Sequence, residues 1–89
     1  MLYIIKSYHP SQIHLINTLI NVPDNALVFI NEGVLYFRCS IFASKSLLFA
    51  LRESVLLFGN DFSLPDAVKL IDHPQWVMLT TQHSKIITL

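Results

Sequence analysis

The chain has 89 residues and a mass of 10.2 kDa, which is room for one domain, residues 1–89, and no second. Hydrophobic residues make up 53% and charged ones only 13%, about half the usual share of roughly 25%. Six basic and six acidic side chains cancel, which argues against autonomous nucleic-acid binding, since that draws its affinity from many cationic contacts to phosphate.

A chain this short buries only about 60–65% of the surface that its unfolded form exposes. Part of the apolar excess is therefore expected on the outside of a monomer, as a partner surface or a membrane surface. Membrane spanning does not fit. Runs such as Ala26–Ile30, Leu47–Leu51 and Val55–Phe58 are far shorter than the ~18 residues of a spanning helix. The opening Met1–Lys6 has neither a basic start nor a small-residue cleavage site, so it does not read as a signal peptide. One cysteine, Cys39, excludes an internal disulfide and a thiolate zinc cluster. The expected location is the cytoplasm.

In chain order, Leu2–Ile5 is a short, continuously apolar run, as in a strand buried on both faces. Pro10 suits the first position of a helix, where its missing N–H would be unpaired anyway. Ile13, Ile16, Leu19 and Ile20 then recur at helical spacing until Pro23-Asp24-Asn25. Ala26–Ile30 is a second strand, ending at Asn31-Glu32-Gly33, where Gly33 can supply a positive φ. Val34–Arg38 fits either an extended strand or an irregular segment. Ala43–Arg52 reads as a helix with Leu47, Leu48 and Leu51 on one side, and Ser54–Phe58 as a third buried strand ending at Gly59-Asn60-Asp61.

Phe62–Ala67, with Pro65, reads as a loop or a fragment of helix. Val68–Ile71 is a short strand, Asp72-His73-Pro74 opens a helix that carries Trp76, Val77 and Leu79, and Ile86–Leu89 is a last short strand. Apolar strands separated by helical crossovers predict a single α/β domain: a mostly parallel sheet of four to five strands flanked by helices.

The chemistry-bearing residues are few. Cys39 is the one possible thiol nucleophile; Arg38 beside it and a nearby helix start could stabilise its thiolate, against the plainer reading of a small, half-buried hydrophobe. His9 and His14 stand roughly 140° apart around a helix and cannot chelate from one face. Asp72, His73 and His83 lack zinc-ligand spacing, so no metal site is predicted. Gly33 and Gly59 belong to no phosphate-binding loop, and no cofactor is expected. Asp61 and Asp72 follow predicted strands, at the edge where α/β folds place ligands, and read as caps or turn residues otherwise.

Several segments carry a resemblance. Met1-Leu2-Tyr3-Ile4-Ile5-Lys6-Ser7, the strand and turn Leu27–Val34 with Glu32 where Asp is more usual, Val55–Asp61, Leu70-Ile71-Asp72, the stretch Trp76–Thr80 and His83 are together similar to the TusB/DsrH family of the DsrE/DsrF/DsrH-like superfamily. The resemblance spans nearly the whole chain in the same order. It departs at Phe62–Ala67, which is shorter than the family's stretch and lacks its Arg-Gly.

The resemblance implies a cytoplasmic structural subunit that joins TusC-like and TusD-like subunits, typically as a dimer of heterotrimers. That complex passes persulfide sulfur toward 2-thiolation of the tRNA wobble uridine. The sulfur-accepting cysteine belongs to the TusD-type subunit, so no catalytic residue transfers to this chain, and the link to tRNA is indirect. Two alternatives stand beside it: a persulfide-carrying sulfurtransferase that uses Cys39, and a DsrH-like subunit of a sulfur-oxidation complex. A nucleotide-binding α/β module is a weaker third, for want of glycines.

Overall fold

The computed structural model describes residues 1–38, 46–58 and 67–89. They form a five-stranded, all-parallel sheet flanked by helices, as the pattern predicts. The strands are β1 (Leu2–Ile5), β2 (Ala26–Phe29), β3 (Leu47–Leu51), β4 (Val68–Ile71) and β5 (Ile86–Thr88), in the order β4-β3-β2-β1-β5. The helices are α1 (Ile13–Ile20), α2 (Arg52–Leu57) and α3 (His73–Gln82). A 3-10 turn, Pro10–Gln12, leads into α1, and a 3-10 segment covers Asn31–Arg38.

Strand order fixes which face each helix takes. From β1 to β4 the chain steps across the sheet in one direction, and right-handed crossovers put those connections on one face. The return from β4 to β5 runs the opposite way and carries α3 to the other face. Two cores result. Ile5, Leu27, Phe29, Leu48 and Ala50 pack with Ile16 and Ile20 of α1 and with Val34, Tyr36 and Phe37 of the 3-10 segment. On the opposite face Leu2, Ala26, Val28 and Ile71 meet Trp76 and Leu79 of α3. The second core is thinner, and α3 contributes no fully buried residue to it.

Two segments differ from the sequence reading. Leu47–Leu51 is a strand rather than the end of a helix over Ala43–Arg52, and Arg52–Leu57 is a helix rather than part of a strand over Ser54–Phe58. Leu47, Leu48 and Leu51 have helical spacing, yet a strand between two neighbours gives the same continuous apolar run. Around α2 only Ser54 is buried, with Val55 and Phe58 packed on the core, while Leu56 and Leu57 point outward. That period is helical. The two exchanges offset each other, so the number of strands is kept. The third strand therefore lies upstream of Val55–Asp61, where the resemblance put it, and a short helix follows it directly. Gly59–Asp61 and most of the predicted loop Phe62–Ala67 lie outside the described residues.

The 31–38 segment settles as 3-10 helix, and its glycine has another task than the one predicted. Positive φ belongs to Asn31, at 50°. Gly33 sits instead against β1: a Cβ there would overlap the Ile5 carbonyl oxygen and lie 2.7 Å from its carbon. The same oxygen accepts the Ile30 N–H at 3.0 Å, so β1, the end of β2 and the 3-10 segment converge on one carbonyl.

Candidate functional site

Ligands of parallel sheets bind beyond the carboxyl ends of the strands, and a shallow groove of about 270 Å³ lies there, lined by Asn31, Leu51, Glu53, Ser54 and Leu57. Its frame is polar backbone held by a buried hydroxyl: the Asn31 N–H donates to Ser54 Oγ at 2.8 Å. That bond satisfies the backbone at the left-handed residue and ties the end of β2 to α2. Leu51 and Leu57 make the rest of the groove apolar, and Glu53 is the one charged side chain among the described residues that line it.

A second groove, about 150 Å³, lies under α3 between Phe49, Lys69, Ile71, Gln75, Met78, Leu79 and Gln82. Among the described residues one helix, α3, covers this face of the sheet. Trp76 closes the neighbouring core, its ring 5.7 Å from that of His73, and its indole N–H is buried without a partner among the described residues. Such an orphan donor costs about 1–3 kcal/mol.

Those predicted site residues that are described do not converge. Cys39 and Asp61 lie outside the described residues. Asp72 is the N-cap of α3: its Oδ1 accepts the Gln75 N–H at 2.9 Å, and its own N–H donates to Gln75 Oε1 at 2.9 Å. That reciprocal pair is a capping box, which satisfies donors at the start of α3 and leaves Asp72 in the turn role. His9 precedes the 3-10 turn, His14 is exposed on α1, His73 opens α3 and His83 ends it. Among the described residues no three His, Cys, Asp or Glu side chains stand together as a metal-binding group. Nor is any helix among them long and apolar enough to cross a membrane.

Among the described residues, several large apolar side chains are exposed. Leu57 is 74% exposed and Leu56 61%, side by side on α2; Met78 is 61% exposed and Val77 46% on α3; Leu47 is 64% exposed at the start of β3. Composition announced this excess, but the positions depend on the α2 assignment, which periodicity over so short a run did not give. No protein-family model matches the chain, and no characterised protein matches it at a significant level.

Proposed function

We propose that this chain is a non-catalytic subunit of a TusB–TusC–TusD-like sulfur-relay complex of the cytoplasm, and that its apolar surface is its working part. In this reading a TusD-like partner carries the persulfide that serves 2-thiolation of the tRNA wobble uridine. The present chain completes the assembly. The observation that carries the reading is the exposure of Leu56, Leu57, Val77 and Met78, none of which belongs to either core. The chain-long resemblance and the small α/β fold with a parallel sheet support it.

The test is co-expression with TusC-like and TusD-like subunits and affinity capture through a tag on this chain. Both partners are expected to co-purify in fixed proportion. Recovery of the tagged chain without either one overturns the proposal.

A further inference from the structure

The described residues divide by how they are held. Up to Ile71 the chain is stitched by side-chain bonds that reach from one element to another. Ser46 Oγ donates to the Leu19 carbonyl at 3.0 Å, Asn25 Nδ2 donates to the same carbonyl at 3.1 Å, and Ser54 Oγ accepts the Asn31 N–H. From Asp72 onward, among the described residues, no side-chain hydrogen bond reaches the rest of the domain. Asp72 and Gln75 cap α3 between themselves. Thr80 Oγ1 donates to the Val77 carbonyl at 2.6 Å and Thr81 Oγ1 to the Met78 carbonyl at 2.7 Å, both inside the helix. No residue from Asp72 to Leu89 is fully buried.

What joins this segment to the sheet is narrow. Trp76 and Leu79 pack on Leu2, Ala26, Val28 and Ile71, and the groove of about 150 Å³ under α3 leaves that contact incomplete. β5 pairs with β1 alone: Leu2 N–H donates to the Lys85 carbonyl at 3.2 Å, Leu89 N–H to the Ile4 carbonyl at 2.8 Å, and Lys6 N–H to the Leu89 carbonyl at 3.0 Å. Leu89, half-buried, is the segment's contact with the larger core on the other face. Segments with few buried apolar contacts open below the free energy of global unfolding, as contiguous units. We infer that α3 and β5 undock together, as a strap hinged after Ile71, while the domain upstream stays folded around its larger core. The capping box travels with the helix. The buried Trp76 N–H, which has no partner among the described residues, gains water on opening. Opening frees the outer edge of β1 and uncovers the apolar face of Leu2, Ala26 and Val28, each 3% exposed or less when the strap is closed. The strap thus hides a strand edge and an apolar face until it opens. A detached helix of ten residues has little stability of its own, so its amides exchange in the open form. The inference does not rest on the sulfur-relay reading.

Native-state hydrogen exchange of the purified full chain, followed amide by amide by NMR at increasing sub-denaturing urea, tests it. The Leu2, Lys6, Trp76 and Leu89 amides are expected to exchange at least about tenfold faster than those of Ile30 and Leu47, which donate to the Ile5 and Asn25 carbonyls. With added urea the first four are expected to merge onto one slope, shallower than that of global unfolding, because one opening exposes one surface. This series reads the wild-type chain and needs no variant. Leu79→Ala then weakens the α3 contact on the face opposite Leu89. It is expected to speed exchange at Lys6 and Leu89 about tenfold and to leave Ile30 and Leu47 unchanged. Urea-independent exchange at Leu89 is fraying of the edge strand and overturns the inference. So does a Leu79→Ala effect that spares Leu89, or one that Ile30 and Leu47 share equally.

Discussion

Tyr36 and the His9 backbone exchange two hydrogen bonds: the His9 N–H donates to the Tyr36 hydroxyl at 3.0 Å, and the hydroxyl donates to the His9 carbonyl at 3.0 Å. The tyrosine is 1% exposed, with its ring 4.8 Å from Tyr8 and 6.5 Å from Phe29. One side chain thus fills the larger core and fixes the connection between β1 and α1. Tyr36→Phe keeps the ring and leaves both His9 groups partly buried without these bonds. The expected cost is about 1–3 kcal/mol, read as a drop in melting temperature of about 4–8 °C for each kcal/mol in a domain of this size.

Gly33→Ala drives a methyl group into the Ile5 carbonyl, a backbone atom that cannot rotate away. The same carbonyl accepts the Ile30 N–H, so any shift propagates to β2. Destabilisation of about 3 kcal/mol is expected, measurable by urea denaturation. An unchanged midpoint would mean that the 3-10 segment sits farther from β1 than described.

Leu57 is too exposed to matter for the fold, at 74%. Leu57→Asp is expected to change stability by less than about 0.5 kcal/mol and to weaken capture of TusC-like and TusD-like partners by about tenfold or more. Thermal melting together with partner titration separates these effects. Equal capture by both forms would place the interface elsewhere.

Cys39→Ser is expected to leave tRNA 2-thiolation at the wild-type level in cells that carry the complete complex, because the reading assigns the persulfide to the TusD-like subunit. Abolished thiolation, with the complex still assembled, would assign the carrier role to Cys39. A thiolation-specific gel-shift assay of bulk tRNA reads the outcome.

These residues also show how far the sequence reaches. Strands β1, β2, β4 and β5 and helices α1 and α3 were legible from apolar runs, from the Ile13–Ile20 spacing and from the Asp72–Pro74 start. The segment 47–58 was not. Leu, Phe and Ala in Leu47–Leu51 have little β-branched character, and a buried parallel strand loses the alternation that identifies strands. Ser54–Phe58 is shorter than two helical turns, so a single run could not separate the periods. The fold class survived because exchanging neighbours leaves the alternation intact. The apolar surface was legible as an amount and not as a place, since the place follows from which face of α2 points outward. The role of Gly33 and the Tyr36–His9 clamp join residues far apart in the chain, and no local pattern encodes them.

Native mass spectrometry of this chain co-expressed with TusC-like and TusD-like subunits tests the central claim most directly. The account predicts a single assembly that contains all three chains, two copies of each. A spectrum that shows this chain only as a 10.2 kDa monomer or as its own dimer, beside an assembly of the other two, would contradict it.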